Sequence, residues 1–147
     1  MIETALREAI RSKDDDRKNV LRMILSSIKL AEVENAKDLD ENSLLAIMHK
    51  EVKMRQETIE EARKTGRSDI IEQQDKEIII IKQFLPKPLS DSELKDIIEG
   101  IITKTGVRSI KEMGKVMKEA VTEISGRATN SQISQMVRDI LLEKDDR

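Results

Sequence analysis

Between Lys104 and Arg127 the chain carries six basic and three acidic residues, a local surplus of three positive charges in a chain of formal charge −2. Lys111, Lys115 and Lys118 follow an i, i+4, i+7 spacing, which places them along one flank of a helix. Ile110, Met113, Met117, Ala120, Val121 and Ile124 supply the apolar stripe beside them. A basic ridge of this kind suits contact with a phosphate backbone, which positions a nucleic acid without reading its bases. Gly114, within the ridge, would let such a backbone come close. Gly126-Arg127-Ala128-Thr129-Asn130 then precedes the last expected helix. Unpaired amides and the positive dipole end at a helix start accept phosphate, and Arg127 would add a two-pronged clamp. Lys104 and Arg108 extend the basic set. Arg67, in the turn Arg63-Lys64-Thr65-Gly66-Arg67-Ser68-Asp69, is a secondary candidate whose plainer reading is a helix-to-helix connection. The plainer reading of the ridge is a solvated helix face, and Met113 and Met117 read as core.

No residue set points to catalysis, a metal or a cofactor. Cys is absent from the 147 residues, which removes thiolate chemistry, disulfides and cysteine-bound zinc. His49, the single histidine, has no identifiable nucleophile or orienting partner and reads as a boundary residue on a helix. The carboxylates are interleaved with Lys and Arg, as in Glu57, Glu60, Glu61, Arg63 and Lys64, and read as solvated helix faces. Phe84 is the only aromatic residue, so stacking of single-stranded bases is not expected. The net charge gives no bulk field toward DNA or anionic lipid. No segment has the length of apolar sequence that spans a membrane, and no basic-then-apolar leader is seen. The default expectation is therefore a cytoplasmic protein with no membrane or DNA partner.

The elements that would position these residues are all helical, since apolar residues recur at helical spacing and sustained alternation is missing. A short helix is expected over Ile2 to Ser12. A second runs from the acids Asp14, Asp15 and Asp16 to about Asn35, with Leu21, Ile24, Ile28 and Ala31 on one face. A third starts at the cap Asp40, stapled by Leu39 and Leu44, and carries Leu45, Met48, Val52 and Ile59 to about Lys64. Gly66 should stop it, and Ser68 should cap the next helix. The run Ile78 to Ile81 is expected to be helical, because no second strand exists to pair with it. Pro86 and Pro88 break the pattern. The expected domains are thus 1–85, with long helices, and 86–147, a small tail of three helices. Ser90 with Glu93, Ser109 with Glu112 and Thr129 with Gln132 each fit a capping box, and Gly106 and Gly126 fall where two tail helices should end.

Met113-Gly114-Lys115-Val116-Met117-Lys118 followed by Gly126-Arg127-Ala128 resembles the signature of the YqeY-like proteins, whose tail module also closes the B subunit of the tRNA-dependent amidotransferase. The resemblance extends upstream through Val20-Leu21-Arg22-Met23, Lys50-Glu51-Val52-Lys53, Gly66-Arg67-Ser68-Asp69 and Phe84-Leu85-Pro86. It implies a helical N-terminal domain followed by a small helical tail. It also implies a tRNA or structured-RNA partner for the tail, and the ridge and loop read above supply the candidate contacts: Lys111, Gly114, Lys115, Lys118, Gly126, Arg127 and Asn130. A docking role on an amidotransferase or another tRNA-linked enzyme is the alternative, and amide transfer from glutamine by this chain is a remoter one, because no activated Cys or Ser is recognisable. The chain departs from the family at Thr129-Asn130, where many relatives carry Asp followed by Gly or Pro; Thr129 retains the capping chemistry.

Overall fold

The computed structural model describes residues 2–145. Among them are seven α-helices, one short 3-10 turn and no strand, so the protein is all-α. It forms two compact units, Met1–Pro86 and Lys87–Arg147, each with its own core.

The first unit contains α1 (Ile2–Arg11), α2 (Asp15–Asn35), α3 (Glu41–Thr65) and α4 (Ser68–Lys82). Asp14 caps α2 by accepting from the Arg17 amide. Asp40 caps α3 by accepting from the Ser43 amide at 2.8 Å, and Leu39 and Leu44 pack against the core beside that cap. Gly66 closes α3 at φ 70°, a left-handed conformation that costs a residue with a Cβ. The next helix does not start as the sequence suggests. Arg67, not Ser68, occupies the capping position, and its side chain makes no cap bond; Ser68 already lies within α4. The Arg67 carbonyl accepts from the Ile71 amide, so the helix begins one residue early and the Ser68 hydroxyl is not needed.

Val20, Ile24 and Ile28 of α2, Leu45, Met48, Val52 and Ile59 of α3, and Ile78 and Ile81 of α4 form the main core. Each fully buried aliphatic side chain of this kind contributes about 1.5–3 kcal/mol. The isoleucine run is helical as expected: Ile78 and Ile81 point inward, while Ile79 stays exposed. Ala5 and Ala9 seat α1 against Leu21. Arg17 lies over the Phe84 ring at 5.4 Å and donates to Gln83, tying the end of α4 to α2.

The second unit contains α5 (Asp91–Thr105), a 3-10 turn (Ile110–Glu112), α6 (Met113–Ile124) and α7 (Asn130–Asp145). Its core draws Leu94, Ile98, Ile101 and Ile102 from α5, Val116, Ala120 and Ile124 from α6, and Ile133, Val137, Ile140 and Leu141 from α7. Two of the three expected capping boxes are complete. Ser90 and Glu93 bond each other's backbone, as do Thr129 and Gln132 at 2.8 and 3.1 Å. The third is not: Ser109 accepts from the Lys111 amide, and three residues of 3-10 geometry precede α6. The helix carrying the ridge therefore starts at Met113 rather than at Ser109. Its buried stripe also includes Val116, while Met113, Met117 and Val121 pack at the margin. Gly106 ends α5 at φ 72°. Beyond α6 the left-handed cap is Ser125 at φ 48°, followed by Gly126 at φ 79°.

Candidate nucleic-acid interface

The late start of α6 splits the expected ridge. Lys115 and Lys118 lie on α6, but Lys111 belongs to the 3-10 turn before it. A different trio is brought together instead. Lys104, at the end of α5, joins Lys115 and Lys118 around a shallow open depression, with Thr105, Glu119 and Thr122 completing its lining. Two of these cations are partly neutralised. Lys104 pairs with Glu119 at 3.6 Å and Lys115 with Glu112 at 3.5 Å. All four side chains are well exposed, and such pairs contribute little and open at little cost. Lys118, Lys111 and Arg108 are exposed and make no ion pair among the described residues.

Gly114 lies in open space: a Cβ added there would meet nothing within 4 Å. The close backbone approach expected at this glycine is not made within the chain.

Arg127 has a second task that its sequence position does not announce. Its Nε donates to the Lys87 carbonyl at 2.9 Å, and the Leu89 amide donates back to the Arg127 carbonyl at 2.9 Å. The side chain thus fastens the segment after Pro86 to the loop before α7. Glu93 stands nearby. Its carboxyl is held below the usual carboxylate range, first by the Ser90 hydroxyl and amide and then by the charges of Arg127 and Lys87.

At the start of α7 the capping box claims part of the expected anion site. Thr129 Oγ1 takes the Gln132 amide and Gln132 Oε1 takes the Thr129 amide. Asn130 and Ser131, in the first turn, are left without intrahelical acceptors for their amides. The secondary candidate Arg67 is engaged with Asp69 through two contacts of 3.3 Å. This bond raises the Arg67 pKa and lowers that of Asp69. The turn behaves as a self-satisfied connection.

The most buried polar cluster among the described residues lies in the first unit, on a stretch of α3 that reads in sequence as an ordinary charged helix face. Arg55 and Glu51 are 5% and 7% exposed. Arg55 Nη1 reaches Glu51 Oε2 at 2.7 Å, and Arg55 Nε reaches Glu77 Oε1 at 3.2 Å. Gln73 bridges Glu77 and Asp16, and Ser27 donates to Glu51 at 3.4 Å. Every buried side-chain polar atom is satisfied among the described residues, and no cluster there has the makeup of a metal site. The sequence carries one signal for it. The stripe Leu45, Met48, Val52, Ile59 skips a turn, and Arg55 fills the gap at the i+3 position.

No helix among the described residues is long and apolar enough to cross a membrane. The protein is similar to "altered inheritance of mitochondria protein 41, mitochondrial" of Lachancea thermotolerans, with 38% identity over 102 residues, or 67% of this chain and 54% of that protein. The match thus spans about half of that relative's length. The like-named proteins of Saccharomyces cerevisiae and Pyrenophora tritici-repentis are 27% and 23% identical, over 87% and 95% of this chain and 70% and 78% of theirs. These relatives are mitochondrial by name, which overturns the expectation of a cytoplasmic protein. That expectation rested on a missing leader, a default rather than a positive signal. The family model for YqeY-like proteins matches residues 1–141, and the chain belongs to that family.

Proposed function

We propose that this protein is an RNA-binding accessory protein whose tail unit holds the phosphate backbone of a folded RNA such as tRNA, with no catalytic step of its own. The observation that carries the reading is the grouping of Lys104, Lys115 and Lys118 around one open depression. Arg108 and Lys111 stand exposed on the segment between α5 and α6. Five cations on one small helical unit suit electrostatic contact with phosphates. The near absence of aromatic residues agrees with recognition of a folded backbone rather than of unstacked bases. The tail's likeness to the module that closes the amidotransferase B subunit supports tRNA as the RNA class. Arg127 serves here as a fastener of the loop, with Asn130 at the adjoining helix start.

The test is a titration of the full-length protein with total tRNA at low and at physiological salt. Saturable binding that falls steeply with salt is expected. The Lys115→Glu, Lys118→Glu variant should lose it, and a variant with both lysines changed to Ala should lower the log–log salt slope by about 2. Absence of binding at low salt, or full retention of affinity by the Glu variant, refutes the proposal.

A further inference from the structure

We propose that Met23 is a reversible oxidation site whose sulfoxide is held by Arg55, so that a peroxide fastens α2 to α3 rather than loosening the fold. The observation behind it is the uneven use of the buried guanidinium. Arg55 Nη1 donates to the Glu51 carbonyl and to Glu51 Oε2, at 3.1 and 2.7 Å, and Nε donates to Glu77 Oε1 at 3.2 Å. Nη2 has one acceptor among the described residues, Met23 Sδ at 3.7 Å. The other carboxylate oxygens of the cluster are already engaged: Glu51 Oε1 takes the Ser27 hydroxyl and Glu77 Oε2 takes the Gln73 amide. A thioether is a weak acceptor. A cationic donor on a residue only 5% exposed is thus left with the poorest partner of its set.

Oxidation supplies a better one. A sulfur lone pair of Met23 attacks the terminal oxygen of a hydroperoxide. The S–O bond forms as the O–O bond breaks, and the departing oxygen takes up the proton and leaves as water or an alcohol. Sulfur loses two electrons and the peroxide gains them. Met23 is open to such a reagent at 51% exposed, whereas Met48 is 2% exposed. Met23 belongs to neither core, so an added oxygen does not disrupt core packing, the usual damage of methionine oxidation. The sulfoxide oxygen is a strong acceptor, and rotation of the flexible side chain brings it to Nη2 in a charge-assisted bond. That bond falls where the two helices are weakly tied. The side-chain hydrogen bonds described between α2 and α3 are this one and Ser27 to Glu51, at 3.7 and 3.4 Å. Reduction by a methionine sulfoxide reductase, with two thiols as electron source, restores the thioether. This inference does not depend on the reading of the tail.

The test uses the full-length protein carrying 13C-methyl methionine and the change Met54→Leu, which leaves Met23 as the one exposed methionine among the described residues. Dilute hydrogen peroxide should convert Met23 to the sulfoxide, located by peptide mass mapping, before Met48 reacts. The Met48 methyl transition in urea should then move upward by about 0.5–1 M. In a sample with 15N-arginine, the Arg55 Nη signals should shift. Sulfoxide reductase with thiol should reverse both changes. The double variant Met23→Leu, Met54→Leu, given the same peroxide, should show neither. A Met48 midpoint unchanged or lowered by Met23 oxidation overturns the proposal, as do Arg55 signals that stay in place. So does a Met23 that resists peroxide while Met113, Met117 or Met136 reacts.

Discussion

Replacing Arg55 by Met tests whether the buried Glu51–Arg55–Glu77 cluster behaves as an interior charge group or as an ordinary surface pair. The Arg55 side chain is 5% exposed and the side chains of its partners Glu51 and Glu77 are 9% and 15% exposed, so water can do little to replace the guanidinium. Removing one member of such a group leaves the other charges uncompensated, at a cost of about 3–5 kcal/mol. A unit of this size holds only about 4–13 kcal/mol in total, so the change should bring it near its unfolding threshold. The two units have separate cores and need not unfold together, which makes a single ellipticity curve ambiguous. Methionine methyl signals resolve them: Met48 is buried in the first core and Met136 packs on the second. In urea, the Met48 transition should move by the full amount while the Met136 transition stays in place. Replacing Glu51, Arg55 and Glu77 together by Leu should recover most of the loss, because the cost lies in the orphaned charges and not in the absence of the ion pairs. A shift below about 1 kcal/mol for Arg55→Met, the scale of a screened surface pair, would refute the reasoning.

Other expectations can be checked on the same sample. Gly114→Ala should leave the fold intact or raise its stability by up to about 1 kcal/mol, and if RNA lies against this helix it should weaken tRNA binding. Unchanged tRNA affinity would remove Gly114 from the interface. Gly66→Ala should cost the first unit about 1 kcal/mol, because the strain at φ 70° is in the backbone and no neighbour crowds the site; an unchanged Met48 midpoint would contradict this. Ser90→Ala should lower the Met136 midpoint by about 1 kcal/mol through loss of the capping box. Glu93 has a depressed pKa, so its contribution is present above the ordinary glutamate value of 4.5 and is lost as pH falls through the lowered one. Glu93→Gln should therefore flatten the tail's stability profile as pH falls below 4.5, as followed by thermal melts.

Local chemistry made much of this fold legible. Asp40, Gly66, Ser90, Gly106 and Thr129 each act within one turn of their own position, so their roles follow from sequence spacing alone. The misreadings lie where two local solutions compete. Ser109 has a glutamate three residues on, but the chain chose a 3-10 turn, and its hydroxyl bonds the nearer amide. The same turn detached Lys111 from the ridge, whereas Lys104 joined Lys115 and Lys118 from a helix that linear spacing could not bring alongside. Arg127 and Lys87 are forty residues apart, and nothing local connects them. Glu51 and Arg55 look like any exposed i, i+4 pair in a chain that is 38% charged. Their burial is decided by Glu77 on another helix.

The bonds that Arg127 and Leu89 make have a bearing on how the tail holds its entry segment. The strand of chain entering the module is fixed by Arg127 Nε to the Lys87 carbonyl and by the Leu89 amide to the Arg127 carbonyl. The helix that follows is started by Ser90 and Glu93 from the same side of the junction. The groups that make these bonds all lie downstream of Pro86. The lock on the tail's entry segment thus lies within the unit Lys87–Arg147 itself.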